Sequence, residues 1–145
     1  MLAQIGSSDR AVRYAARVAM EQSGTKDWEL EKVVNATPQT VLTATMALAR
    51  TFDRESKGKA PNIDSPLPEW TADRSNESED RRRSREKILD ALDGLEWKTL
   101  SHDQKLELLR VLTLTFVRIG PPDDEQRVIL SKRAVAAFPA GSHEL

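Results

Sequence analysis

The sequence predicts an all-α fold, a prediction that rests on three observations. Apolar residues recur every three or four positions in several segments, which is the spacing of one helix face. Capping residues and prolines stand where those segments begin, and glycines stand where they end. No window alternates apolar and polar residues over a useful length, and no Asn-Gly or Asp-Gly turn separates two such windows. We therefore expect about six helices packed on one another.

Three helices are predicted in the first part of the chain. The first covers residues 9–20, where small and aliphatic residues follow an Asp, and the second is a short helix over 27–35. A longer helix over 38–53 begins with Thr37 as its N-cap and Pro38 at its first position, where the missing N–H costs nothing. Its apolar face consists of Val41, Leu42, Thr45, Leu48, Ala49 and Phe52.

Two capping boxes predict helix starts in the second part. Asn76 stands three residues before Glu79, and Ser101 stands three residues before Gln104, so each pair fits reciprocal side-chain to backbone bonds. The two helices end near Gly94 and at Gly120. Their apolar stripes are Ile88, Leu89, Leu92 and Leu95, and Leu106, Leu109, Leu112, Phe116 and Ile119.

A last helix is predicted to open at Pro121 and Pro122 and to end at Pro139. Acids in its first turn complement the helix dipole. These acids are Asp123, Asp124 and Glu125, and the apolar stripe behind them is Val128, Ile129, Val135 and Phe138.

The domain organisation expected from these elements is one domain in three parts. Residues 1–53 form the first helices, 54–75 form a loop or linker rich in proline, and 76–145 form three further helices on the same solenoid. Trp70 is expected to pin one end of the linker onto the helices, and it is the candidate contact for a partner because Trp dominates interface hot spots.

The first helix also resembles a known family. An Asp that opens the helix, the pair Val12-Arg13 and the alanines that follow are similar to the second helix of a HEAT repeat. The resemblance implies a HEAT-like helical repeat, or α-α superhelix, that acts as a scaffold or interaction module. It also implies a structural role for Arg13, which in such repeats ties adjacent repeats together through acids or carbonyls.

Residues 95–122 look like the segment that follows HEAT repeats in large multidomain proteins of planctomycete-type bacteria, which join a dehydrogenase-like propeller to a cytochrome c domain. The resemblance implies a segment of a larger bacterial protein, exported or periplasmic, and otherwise we expect a cytoplasmic chain. The implied partner is a protein, either a flanking domain of the same polypeptide or another chain. No haem is expected here, because c-type haem attachment needs cysteines and the chain has none.

Composition and charge exclude several classes of function. The chain has 145 residues, a net charge of -1 and no apolar stretch long enough to span a bilayer, so we expect neither general attraction to nucleic acid nor a membrane span. His102 and His143 lack neighbouring ligands or a nucleophile. We expect no catalytic residue, metal or cofactor in this chain, and any catalysis to lie in domains outside it.

One charged run offers an alternative. Basic side chains follow Glu79 and Asp80 closely, either as a phosphate-binding face for nucleic acid or as helix-surface partners of those acids. The residues of this basic run are Arg81, Arg82, Arg83, Arg85 and Lys87.

Overall fold

The computed structural model describes residues 2–23, 30–33, 35–55 and 79–137. Within these ranges the chain is helical and contains no strand, which confirms the all-α prediction. The α-helices are α1 (Leu2–Ile5), α2 (Arg10–Ser23), α3 (Pro38–Glu55), α4 (Glu79–Asp93), α5 (His102–Arg118) and α6 (Asp124–Ala137), and short 3-10 helices cover Leu30–Lys32 and Trp97–Thr99.

The starts of α2 and α5 follow the predicted capping chemistry. Asp9 Oδ1 accepts the backbone N–H of Ala11 at 2.7 Å at the start of α2. At the start of α5, the Gln104 N–H donates to Ser101 Oγ at 3.3 Å and the Ser101 N–H donates to Gln104 Oε1 at 2.9 Å. This capping box is confirmed, whereas Asn76 lies outside the described residues.

The last helix begins later than the sequence predicts. Residues 121–123 precede α6, and Asp123 is its cap: Oδ1 accepts the Gln126 N–H at 2.7 Å, while the Asp123 N–H donates to Gln126 Oε1 at 3.0 Å. The helix therefore begins after Asp123, whose side chain caps it, and not at the prolines. Just before them, Gly120 has a φ of 138°, a left-handed conformation that ends α5.

Helix α3 is the centre of the molecule. It contacts α1, α2, α4 and α5, and its residues 40–47 are all buried, so the predicted single apolar face is too narrow. Threonines tolerate this burial because their hydroxyls donate to carbonyls of the preceding turn, as Thr45 does to Val41 O at 2.8 Å and Thr51 to Ala47 O at 3.1 Å. The helix also includes the first two residues of the predicted linker, and the rest of that linker lies outside the described residues.

Helices α2 and α5 both run in the same direction as α3. The turn before α2 lies against the start of α3, where Gly6 is beside Thr40, and the end of α2 meets the end of α3 through Glu21 and Arg50. Gln39 Nε2 donates to Glu107 Oε2 at 2.8 Å near the starts of α3 and α5. Near their ends, an Arg118 nitrogen donates to the carbonyl of Arg50 at 3.2 Å.

Helices α4 and α6 also run in parallel. Arg85 Nε donates to Gln126 Oε1 at 3.4 Å, and farther along both helices Arg133 donates to the Asp93 carboxylate at 2.8 Å. Helix α4 runs opposite to α3, since Arg81 at its start lies over Phe52 at the end of α3, 5.6 Å from the ring centroid. The 3-10 helix Leu30–Lys32, which lies within the predicted helix over 27–35, contacts α4.

The predicted stripe of α6 is not the face that packs. Val128 and Val135 are exposed, Val135 at 72%, and Phe138 lies outside the described residues. Of the predicted stripe only Ile129, itself 46% exposed, lines the cleft toward α4 and α5, beside Leu130 and Ala134 and between the polar residues Gln126 and Arg133. The bonds of Gln126 and Arg133 mark the side of α6 that meets α4, and apolar spacing did not reveal them.

Candidate functional site

A wide groove of about 830 Å³ lies between α2 and α5, with α3 as its floor. We call it the arginine groove. It is lined by Arg10, Arg13, Tyr14 and Arg17 of α2, by Thr43, Met46 and Arg50 of α3, and by Asp103, Leu106, Glu107, Leu109, Arg110, Thr113 and Leu114 of α5.

One wall of the arginine groove is a row of guanidinium groups on α2. Arg10, Arg13 and Arg17 are three and four residues apart, a spacing that keeps them on one side of the helix. A terminal nitrogen of Arg13 donates to the carbonyls of Ser7 at 2.6 Å and Ser8 at 3.0 Å. Arg13 therefore binds carbonyls of the turn before its own helix, and these bonds do not join it to a neighbouring repeat.

A single carboxylate positions two further arginines. Glu21 Oε1 lies 2.9 Å from Arg50 Nε and 3.6 Å from Arg17 Nε. Neither contact is aligned as a hydrogen bond, so the interaction is one of charge at close range. The Arg17 guanidinium also lies over the Tyr14 ring, 5.1 Å from its centroid, in cation–π geometry. These contacts fix the end of the groove at which α2 meets α3.

The remaining two arginines of the groove carry no such ties. Arg10 on α2 and Arg110 on α5 are exposed, and within the described residues their side chains form no ion pair or hydrogen bond. Two acids also line the groove, Asp103 and Glu107, and Glu107 accepts a bond from Gln39. Counting Glu21 with them, five arginines face three acids, so 5 - 3 leaves a local charge of +2.

Apolar surface is exposed among these charges. Tyr14 is 61% exposed, and Leu106 and Leu109 on the opposite wall are 42% and 40% exposed, while Met46 is buried in the floor. Guanidinium groups beside an exposed aromatic ring and aliphatic side chains form a surface typical of protein–protein interfaces, where Tyr and Arg are enriched.

The basic run on α4 does not form one continuous face. Arg85 is buried at 1% exposure and Arg81 lies over Phe52, so both turn toward the protein. Arg82 donates to both oxygens of Glu79 at 2.9 Å, and an Arg83 nitrogen lies 3.8 Å from the same carboxylate. Lys87 is exposed.

The contacts with Arg82 and Arg83 change the pKa of Glu79, the acid at the start of α4. The hydrogen bond from Arg82 and its charge lower the pKa of Glu79, with a smaller contribution from Arg83. The pairing of acids and bases along this helix is the alternative that the sequence offered to a phosphate-binding face.

A second concavity, a cleft of about 220 Å³, lies between α6 and the pair α4 and α5. Leu92, Leu112 and Leu130 are among the apolar side chains that line it. Arg133, the cation among the described residues that line it, donates to the Asp93 carboxylate and to the carbonyls of Asp93 and Leu95 at 2.8, 3.1 and 2.9 Å. These bonds make the cleft a packing feature that holds α6 on the bundle.

Of the candidates Trp70, His102 and His143, the described part of the chain contains His102. Trp70 and His143 lie outside the described residues, and His102 is exposed in the first turn of α5. No group of three or more potential metal ligands occurs within the described ranges. None of the described helices is both long and apolar enough to cross a bilayer.

No protein-family model, curated protein or solved structure matches this chain. The groove was not foreseen from the sequence, although one signal for it exists: the arginines at 10, 13 and 17 share a helix face. The positions of Arg50 and Arg110 beside them depend on how three helices pack, and local spacing does not carry that information.

Proposed function

We propose that this chain is a non-catalytic helical interaction module that binds a protein segment in the arginine groove. The observation that carries the proposal is the combination, in one concave surface, of exposed arginines with exposed apolar side chains such as Tyr14 and Leu106. The partner is either a flanking domain of a larger bacterial polypeptide or a separate protein.

A HEAT-like stack of helix pairs is part of the proposal. In this arrangement α3 and α4, which contact each other, form one helix pair, and α5 packs beside α3 as part of the next pair. The parallel directions of α3 and α5, and of α4 and α6, support it. So does the contact between Leu30–Lys32 and α4. The arginine groove then lies on the layer formed by α2, α3 and α5, and the concave face of a solenoid is its usual binding surface.

The alternative, nucleic-acid binding through residues 81–87, has weaker support. Arg85 is buried and Arg82 and Arg83 share the Glu79 carboxylate, so fewer cations of the basic run face solvent than its sequence suggests. Phosphate binding would weaken steeply with added salt, which distinguishes it from a partly apolar protein contact.

The test is a selection of binding peptides from a random display library on the immobilised full chain. The selected peptides are then measured against Arg10→Glu/Arg110→Glu and against the control Lys98→Glu/Lys132→Glu, which makes the same change in charge at exposed positions outside the groove. We expect the first variant to lose most binding and the control to keep it. Equal binding by both variants would contradict the proposal, and unchanged circular dichroism establishes that both are folded.

A further inference from the structure

We infer that the segment bound in the arginine groove is acidic and amphipathic, with Asp or Glu side chains placed around a few aliphatic or aromatic ones. This inference rests on the proposed function and adds to it the chemistry of the partner. Three features of the groove carry it: the arginines without partners, the arginines already held in place, and the apolar strip between them.

Charge is the first feature. Arg10 and Arg110 stand on opposite walls, and their side chains have no partner within the described part of the chain. A guanidinium binds a carboxylate through two parallel N–H donors, so each of these residues offers a site for one acidic side chain. An acidic segment between the walls satisfies both arginines, whereas a basic segment would add to a local charge that is already positive.

Pre-organisation is the second feature. Glu21 lies within 3.6 Å of Arg17 and 2.9 Å of Arg50, and Arg13 is held by the carbonyls of Ser7 and Ser8. An arginine that is already ordered loses little side-chain entropy when an anion arrives. These three arginines therefore supply a fixed positive field, while Arg10 and Arg110 supply the direct contacts.

The apolar strip is the third feature. Tyr14, Leu106 and Leu109 expose between 40% and 61% of their surface inside the same groove. A purely acidic segment leaves them in water, but a segment with leucine or aromatic side chains between its acids removes them from water and gains about 25 cal/mol for each Å² buried. This mixture favours a protein segment over a nucleic-acid backbone.

The acids of α5 set a direction. Asp103 and Glu107 both precede Arg110 along the helix, so the wall changes from negative to positive from its start toward its middle. On the α5 wall, acidic side chains of the partner are therefore placed toward Arg110, while on the α2 wall Arg10, at the start of its helix, takes an acid at the other end of the groove.

The test uses fluorescent helical peptides of about four turns and the full chain. One peptide carries Glu and Leu on adjoining faces, a second has Gln in place of Glu, a third has Lys in place of Glu, and a fourth has Glu with Ser in place of Leu. A single-stranded oligonucleotide of matching charge is the fifth ligand. Anisotropy gives each Kd at about 0.05 M and about 0.5 M salt, for the wild type, Arg10→Gln/Arg110→Gln and the control Lys98→Gln/Lys132→Gln.

We expect the Glu/Leu peptide to bind at least about tenfold more tightly than the other four ligands, and Arg10→Gln/Arg110→Gln to lose about tenfold while the control loses nothing. Equal binding of the Gln or Lys peptide overturns the acidic requirement, equal binding of the Glu/Ser peptide overturns the apolar one, and tighter binding of the oligonucleotide overturns the choice of a protein partner.

If these peptides fail while display-selected peptides still need Arg10 and Arg110, the inference is wrong and the proposed function stands. If the selected peptides do not need those arginines, the proposed function itself is wrong.

Discussion

Glu21 of α2 contacts Arg50 of α3, with Oε1 2.9 Å from the arginine Nε. Only 15% of the glutamate side chain is exposed, so this contact is screened less than one on an open surface. The same oxygen lies 3.6 Å from Arg17, one turn earlier on α2. One acid thus joins two helices and orders two arginines of the groove.

Replacing this acid tests its part in the fold. We expect Glu21→Gln to lower the free energy of unfolding by about 1 kcal/mol, because two neighbouring guanidinium groups lose their counter-charge. Urea denaturation measures the change, with Glu96→Gln as the control because Glu96 is exposed and its side chain caps nothing. A coupling energy near zero in a Glu21→Gln/Arg50→Met cycle would show that the contact has no energetic weight.

Gly6 is needed for the close approach of the α1–α2 turn to α3. A Cβ at this position collides with the Thr40 hydroxyl, which is bonded to the Thr37 hydroxyl at 2.9 Å. We expect Gly6→Ala to cost about 2 kcal/mol in thermal or urea unfolding, as overpacking does. In a Thr40→Ala background the same change should cost much less. Gly94→Ala is the matched control, since its Cβ meets only the Ala91 carbonyl, at an ordinary 3.8 Å; an equal loss there would contradict the steric explanation.

The basic run contains both a buried arginine and exposed ones, and replacing them should change the free energy of unfolding by different amounts. Arg85 is 1% exposed and contacts Gln126 of α6, whereas the Arg83 side chain is 65% exposed. We expect Arg85→Ala to destabilise the fold by about 3 kcal/mol. The buried groups that pack against the guanidinium lose that contact when it is removed. Arg83→Ala should change stability by less than about 0.5 kcal/mol. Similar values for the two variants would mean that residues 81–87 act as one solvated face.

Arg133 holds α6 against the end of α4 through three bonds to Asp93 and Leu95. Arg133→Ala should raise amide hydrogen exchange in α6 about tenfold or more, with smaller changes in α3. Lys132→Ala, one residue earlier on an exposed side, is the control and should leave exchange unchanged. Exchange in α6 that stays at the wild-type rate after Arg133→Ala would show that apolar packing alone holds this helix.

The acid at the start of α4 should titrate below its ordinary range. The hydrogen bond and charge of Arg82 lower the pKa of Glu79 in the folded state. Its contribution to stability is therefore complete above the unfolded-state pKa and is lost as the pH falls through the folded-state pKa. A carboxyl-detected NMR titration should show this low pKa in the wild type and a return toward the ordinary value in Arg82→Gln. An unchanged pKa in that variant would rule out Arg82 as the cause.

Local chemistry explains which parts of the fold were predictable. Asp9, Ser101 and Gly120 act within one turn of a helix end, so their residue types alone located the start of α2 and both ends of α5. The start of α6 was misplaced because Asp123 caps the helix after the prolines. The HEAT-like stacking was inferred from resemblance and stays a prediction.

The burial of α3 and the arginine groove could be predicted less well from the sequence. The segment from Pro38 to Ala49 contains no charged residue, which is a sign of burial on all sides, but the prediction used only the spacing of one helix face. Its threonines can be buried because their hydroxyls bond the preceding turn. The arginine groove combines residues 10–17 with Arg50 and Arg110, which are far apart in sequence. The basic run on α4 is contiguous in sequence and was therefore the predicted binding surface, although folding separates its side chains.

The arginine side chains themselves give the most direct test of the binding face. NMR of the Nε–Hε groups reports each arginine separately during titration with the Glu/Leu peptide. We predict saturable shifts at the five groove positions, largest at Arg10 and Arg110, with Arg82 and Arg83 unchanged. Shifts at Arg82 and Arg83 with none in the groove would contradict the account and favour the basic run as the binding surface.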